Sequence, residues 1–303
     1  MAKLQKKSIA DLGEIQSLLS EFWGYSEFRP LQEDIIRSVM DKRDTLALMP
    51  TGGGKSLTFQ LPTMAMEGIC IVVTPLIALM KDQVDQLVKR NIKAVAIHSG
   101  MTRHEITVTL DNCVFGGVKF LYLSPERLST ELFKARVRDM NVCLIAVDEA
   151  HCISQWGYDF RPSYLEIRSI REVIADVPIL ALTATATPEV CSDIQDQLGF
   201  RKENLLKKSF DRANLAYVVR STANKSRELI SIVNSIPGCG IIYTRNRKKC
   251  KEISMLLVEK GVSSAYYHAG MVAEEREKRQ EEWISNQFRV MVATNAFGMG
   301  IDK

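Results

Sequence analysis

Gly52-Gly53-Gly54-Lys55-Ser56 is a run whose residue types suit one task, the holding of a phosphate chain. It follows the apolar stretch Leu46-Ala47-Leu48-Met49 and the pair Pro50-Thr51. It leads into Leu57-Thr58-Phe59-Gln60-Leu61, which has helical character. Glycines let backbone N–H groups converge on phosphate oxygens, and the start of a helix adds partial positive charge. Between a strand and a helix, Lys55 would reach the β- and γ-phosphates of a nucleoside triphosphate and Ser56 would hold Mg²⁺. The full phosphate-loop pattern has glycine six places before the lysine, where this chain has Met49. The plain alternative is a flexible surface turn, and the flanking strand and helix weigh against it.

A second constellation, Asp148-Glu149-Ala150-His151, follows the apolar run Val142–Val147 directly. Ligands sit at strand ends in open parallel sheets. There Asp148 would hold the Mg²⁺, directly or through water, Glu149 would orient and deprotonate a water, and His151 would sense the γ-phosphate or the neighbouring lobe. An acidic cap on the next helix is the alternative. A phosphate loop upstream makes the catalytic reading the stronger of the two.

The elements that must position these residues alternate in kind. Strand-like runs at Thr45–Met49, Cys70–Thr74, Ala94–Ile97, Lys119–Leu123, Val142–Val147 and Ile179–Leu182 are separated by stretches of helical spacing. One such stretch carries Leu76, Leu79, Met80, Val84, Leu87 and Val88. Leu12, Ile15, Leu18, Leu19 and Phe22 predict a first helix packed on the body. The alternation predicts an α/β fold with mainly parallel sheets joined by right-handed crossovers.

A weak repeat then appears at an offset of 170 residues, Ile71 standing over Ile241. Ile71-Val72-Val73-Thr74 matches Ile241-Ile242-Tyr243-Thr244, and His98-Ser99-Gly100-Met101 matches His268-Ala269-Gly270-Met271. Lys119–Ser124 matches Arg289–Thr294 by pattern. The chain therefore reads as two lobes of one design, 1–208 and 209–303, with a seam in the polar stretch from Arg201 to Lys208. The phosphate-loop glycines have no counterpart around Lys225-Ser226, so only the first lobe is expected to cradle phosphates. The two histidines read as turn residues.

The chain has 303 residues, 46% of them hydrophobic, and a formal net charge of +4, a balance compatible with nucleic acid without requiring it. Its seven cysteines include no C-x-x-C pair, which speaks for reduced thiols in a cytoplasmic chain and against a disulfide framework or a zinc site. No apolar run is long enough to span a bilayer.

Taken together these motifs resemble the superfamily 2 helicases, and one stretch narrows the resemblance. Cys152-Ile153-Ser154-Gln155-Trp156-Gly157-Tyr158-Asp159-Phe160-Arg161-Pro162 is similar to the aromatic-rich loop of RecQ-family DNA helicases, with Tyr158 where that family often has His. Phe22-Trp23-Gly24-Tyr25 and Phe28-Arg29-Pro30-Leu31-Gln32 resemble the adenine-recognition motif, Thr74–Gln83 and Ser124–Leu128 the DNA-contact motifs, and Thr183-Ala184-Thr185-Ala186-Thr187 the coupling motif. Phe210–Leu215 resembles the entry to the second lobe and Ala293–Lys303 the family's motif V.

The resemblance implies two RecA-like lobes with ATP bound between them, and 3′→5′ translocation on single-stranded DNA in repair and recombination. It assigns Tyr25, Arg29, Gln32 and Thr51 through Ser56 (Thr51, Gly52, Gly53, Gly54, Lys55, Ser56) to the nucleotide. Gln155, Trp156, Phe160, Arg161, Thr183 and Thr185 fall to DNA binding and coupling, with ATP and Mg²⁺ as cofactors. Single-stranded and forked DNA are the implied partners of a monomeric chain. The family pattern also continues into an arginine-bearing motif past residue 303, so the second lobe is expected to be incomplete. A missing arginine finger costs about 10³–10⁵ in turnover.

On residue chemistry alone, several assignments stay open. Gln32 can pair with an adenine edge, or sit in an ordinary amphipathic helix with Ile35, Ile36 and Val39. Trp156 and Phe160 suit stacking on unpaired bases or a hydrophobic core. Arg245, Arg247, Lys248, Lys249 and Lys251 form a solvated helix face or a phosphate-binding one. Against the helicase stand a nucleotide-gated single-stranded DNA-binding module, an RNA helicase of the same superfamily, and a P-loop kinase.

Overall fold

The structure, a computed structural model, describes residues 12–157, 159–207, 215–297 and 303. Tyr158, the entry segment at 210–214 and the motif V residues 298–302 lie outside the described residues. The chain divides into two compact units, Met1–Arg212 and Ala213–Lys303.

In the first unit the strands are β1 (Thr45–Leu48), β2 (Ile69–Val73), β3 (Ala94–Ile97), β4 (Phe120–Leu123), β5 (Val142–Val147), β6 (Ile179–Thr183) and β7 (Leu205–Lys207). Its helices are α1 (Leu12–Leu18), α2 (Gln32–Met40), α3 (Leu57–Ala65), α4 (Ile77–Val88), α5 (Arg103–Phe115), α6 (Glu131–Val137) and α7 (Pro188–Gln197). The strands form one parallel sheet in the order β3-β4-β2-β5-β6-β1-β7. Apolar residues run continuously through the central strands because both faces are covered. Leu46 and Leu48 face a core that α7 covers over β1 and that extends to α5 and α6 side chains such as Leu110 and Phe133 farther along the sheet. Ala47 and Met49 pack on the other side with Ile35, Phe59 and Met80. Helix starts are fixed locally: Thr102 and Glu105 form a reciprocal cap on α5, and Thr187 with Pro188 opens α7.

The predicted first helix is present as α1 and a wider-turned continuation, Leu19–Trp23, with Ile15 and Leu19 buried against α2 and α3. The polar stretch after Arg201 holds a short edge strand, β7, that the sequence reading passes over. Its polarity anchors rather than loosens. The Asn204 amide donates to Ser38 Oγ (2.8 Å) and Asp44 O (2.9 Å), and Arg201 donates to the Asp44 carboxylate.

The second unit has α8 (Lys225–Ser235), β8 (Gly240–Tyr243), α9 (Arg247–Glu259), β9 (Ser264–Tyr267), α10 (Ala273–Ile284) and β10 (Val290–Ala293). Its described strands form a parallel sheet in the order β8-β10-β9. β9 and β10 fall where the 170-residue offset puts the counterparts of β3 and β4, and the order matches β2-β4-β3. His98 and His268 close equivalent turns, each carbonyl accepting from the methionine three residues on (3.3 and 3.1 Å). Among the described residues, no helix is long and apolar enough to cross a membrane.

Candidate functional site

The sheet order settles which loops meet. β5, β6 and β1 are adjacent and parallel, so the loops leaving their carboxyl ends stand side by side, about 5 Å apart per strand step. Those loops carry Asp148–His151, Thr183–Thr187 and Thr51–Ser56. Two backbone bonds continue the ladder into them: Met49 N donates to Thr183 O (3.0 Å) and Asp148 N to Val73 O (2.9 Å).

The phosphate loop turns twice through left-handed backbone, at Gly52 and Gly54 (both φ +76°). It is held by its carbonyls. The Arg29 guanidinium donates to Gly52 O (2.6 Å), and the Gln32 amide donates to Gly54 O (3.0 Å) while its own oxygen accepts from Arg29 N (2.8 Å). A Cβ on Gly54 would run into that Gln32 nitrogen. The amides of Gly52, Gly54, Lys55 and Ser56 have no acceptor among the described residues, whereas Gly53 N bonds Pro50 O (3.0 Å). Carbonyls tied down on one side and free N–H groups on the other fit a phosphate chain. Thr51 is exposed, Ser56 stands half-buried just ahead of α3, and the Tyr25 ring is half exposed.

Gln32 is 1% exposed, its amide nitrogen bonded to this loop and its oxygen to Arg29 N, so in this arrangement it faces the phosphate loop rather than open solvent. Leu31, just before it, takes a positive φ of 77° to start α2 there. That backbone detail has no signature in the sequence.

In the acidic motif, burial and the Glu149 charge push the Asp148 carboxyl up to about 6, although Lys55 and the Glu149 N–H (3.0 Å) pull the other way. Glu149 itself sits at φ 48°, a strained position for a non-glycine residue and one that clusters at functional sites. The buried Tyr164 hydroxyl donates to Asp148 O (2.9 Å), a support the sequence reading misses. His151 Nδ1 lies 2.9 Å from Thr183 Oγ1 and 3.3 Å from Glu149 Oε2. Burial holds the imidazole below its ordinary range against the pull of Glu149 and Asp159. Thr183 Oγ1 also bonds the Thr185 backbone (3.3 Å). One short chain of contacts therefore links Glu149, His151, Thr183 and Thr185.

The loop from Cys152 to Pro162 folds back on itself. Arg161 N donates to Cys152 O (2.8 Å), and the Arg161 guanidinium pairs with Asp159 (2.9 Å). Trp156 is 79% exposed and Gln155 is exposed, while Phe160 is half-buried. The structure thus brings the phosphate loop, the acidic motif and the coupling threonines together, and leaves Trp156 in solvent. In the second unit, Arg247, Lys248, Lys251, Tyr266 and His268 line an open basic depression.

Comparisons with known proteins identify the family. The DEAD/DEAH box helicase model matches residues 29–194, more than half of the chain, and the helicase conserved C-terminal domain model matches residues 224–303. The chain is 45% identical over 295 residues to the ATP-dependent DNA helicase RecQ of Bacillus subtilis, covering 96% of this chain and 50% of that protein. It is 41% identical over 288 residues to RecQ of Haemophilus influenzae (95% and 46%). It thus spans about half the length of these curated relatives. In fold it is similar to the helicase MrfA bound to DNA (TM-score 0.74, 16% identity, 98% of this chain and 46% of that one). It is also similar to Mycobacterium smegmatis helicase Lhr bound to single-stranded DNA and AMP-PNP (TM-score 0.70, 18% identity, 97% and 43%). The chain belongs to the DEAD/DEAH box helicase family, and the relatives it resembles at 40–45% identity include ATP-dependent DNA helicases RecQ.

Proposed function

We propose that the protein is an ATP-dependent DNA helicase of RecQ type, moving 3′→5′ along single-stranded DNA at forks during repair and recombination, in the cytoplasm. Residues 1–208 form its ATP-binding lobe and 209–303 belong to its second RecA-like lobe. The observation that carries this reading is the convergence of three loops at the carboxyl ends of β1, β6 and β5.

In this reading the free amides of the phosphate loop and the Lys55 ammonium hold the β- and γ-phosphates, and Ser56 and Asp148 hold Mg²⁺. The metal, when bound, offsets charge on the phosphates and on the leaving oxygen. Glu149 accepts the proton of the attacking water. His151 and Thr183 pass the state of that site to Thr185. Tyr25 and Arg29 flank the adenine. Gln32 contacts it only by exchanging its bond to Gly54 O, so base recognition and loop shape are coupled through one amide. Trp156 and Phe160 stack on unpaired bases, with Gln155 and Arg161 beside them.

The test is ATP hydrolysis with and without single-stranded DNA, beside Lys55→Ala. Lys55-dependent turnover that rises with DNA supports the helicase. ATP binding lost in Lys55→Ala, with no turnover in either protein, would replace it with a nucleotide-gated single-stranded DNA-binding module.

A further inference from the structure

Next to the acidic motif, His151 is joined by two side chains that the helicase reading does not use, Cys152 and Asp159. The fold-back of residues 152–161 carries Asp159 over Cys152. Its closing bond is Arg161 N to Cys152 O, and Gly157 packs so tightly that a Cβ there would meet His151 O at 2.9 Å. Cys152 Sγ lies 3.8 Å from Asp159 Oδ2 and 3.9 Å from His151 Nε2, and the three residues each bring a ligand atom within 4.8 Å of the others.

We propose that His151 Nε2, Cys152 Sγ and Asp159 Oδ2 form a three-ligand site for a soft divalent cation of the zinc class, with solvent in the fourth position. Zinc bonds of about 2.0–2.3 Å place ligand pairs about 3.3–3.6 Å apart in a tetrahedron. The two sulfur separations therefore need to close by only a few tenths of an ångström. The imidazole is also oriented for the task. With an Nδ1 proton shared between Thr183 Oγ1 (2.9 Å) and the acceptor-only Glu149 Oε2 (3.3 Å), the Nε2 lone pair is left on the Cys152 side. A carboxylate behind a ligating histidine is the usual outer support of zinc sites.

Asp159 is 44% exposed and gives the ion an entry, whereas Cys152 is fully buried. Capture displaces the thiol proton to solvent and makes Arg161 share Asp159 with the metal. Thiolate and imidazole ligands suit zinc, and Mg²⁺ takes oxygen ligands, so the donor set selects zinc over Mg²⁺. Occupancy would pin the 152–161 loop to the acidic motif and hold Glu149 and Thr183 as outer-shell groups. Zinc then slows turnover. That consequence rests on the helicase reading; the site does not.

The site is tested by titrating Zn²⁺ into the chain against a chromophoric chelator, and Co²⁺ with visible and near-ultraviolet spectra. One tight equivalent should be lost in Cys152→Ser and in the solvent-facing Asp159→Asn, with the thiolate-to-cobalt band missing in Cys152→Ser. Thr183→Val should weaken binding by about 10-fold or more by removing an outer-shell partner. An equal count of tight sites in the native chain and both ligand variants overturns the proposal, whatever turnover does. With binding established, zinc inhibition that is relieved in Cys152→Ser supports the regulatory arm, and uninhibited turnover refutes that arm alone. Absence of any ATP turnover without zinc counts against the helicase reading and leaves the binding result standing.

Discussion

Asp44 is the residue whose replacement should do most harm to the strand that delivers the phosphate loop. Its side chain is 1% exposed, one residue ahead of β1. Oδ1 accepts from Ile179 N (2.9 Å), the first residue of β6, and from Arg171. Oδ2 accepts from Arg201 N (3.0 Å) and Nε (3.1 Å). Burial raises the carboxyl, yet the bonds from Arg201, Ile179 and Arg171 outweigh it and hold the group below the ordinary aspartate range.

In Asp44→Ala the Arg201 side chain, 47% exposed, relaxes into water and contributes little. Arg171, at 13%, keeps its charge with only long carbonyl contacts of 3.4 Å. The orphaned Ile179 N–H costs about 1–3 kcal/mol. Breaking a buried pair costs about 3–5 kcal/mol, and the remaining carbonyls place this case near 3–4 kcal/mol. Asp44→Asn keeps an acceptor for Ile179 and should lose about half of that.

The assay is urea unfolding at neutral pH, with hydrogen exchange read at β1 and β6. Because the folded carboxyl is depressed, its contribution is present above the unfolded value of 3.8 and lost as pH falls through the folded one. The gap between native and Asp44→Ala proteins must therefore narrow in acid. A loss below about 1 kcal/mol at pH 7, or a gap indifferent to acid, would refute the reasoning.

Three further outcomes are expected. Gly54→Ala sets a Cβ against Gln32 at φ +76°, adding about 1–2 kcal/mol of backbone strain, so nucleotide affinity should fall by about tenfold; a fluorescent-nucleotide Kd within twofold of native counts against it. Asp148→Asn should stabilise the nucleotide-free, metal-free chain while abolishing turnover. The folded carboxyl titrates near 6 against 3.8 unfolded, so its stabilising contribution is full below 3.8 and lost as pH rises through about 6. The gain, about 2–3 kcal/mol, should appear above that pH and vanish below 3.8, and melting curves showing equal gains at both extremes would contradict it. Trp156→Ala, at an exposed side chain, should leave stability within about 0.5 kcal/mol and weaken single-stranded DNA binding by about 1–3 kcal/mol in anisotropy titrations. Unchanged affinity would remove the stacking role.

Much of the site was legible in the sequence because its signals are local. A glycine run between an apolar strand and a helix, and an acidic pair at a strand end, keep their meaning whatever surrounds them. The 170-residue offset located β9 and β10 for a related reason, since a repeated pattern of apolar runs encodes repeated strands. What tertiary structure alone decided is which strand ends become neighbours. β6 lies between β5 and β1 in the sheet, and only that insertion sets Thr183 on His151 and joins the phosphate loop to the acidic pair. Edge strand β7 escaped notice because half-solvated Leu205–Lys207 has no apolar run, its place being fixed by Asn204 and Arg201 from outside the strand. The Gln32 grip on Gly54, the strained backbone of Glu149 and the His151-Cys152-Asp159 cluster depend on atoms brought together by loop closure. Residue order cannot state such contacts, because they belong to the packing of separate strand ends.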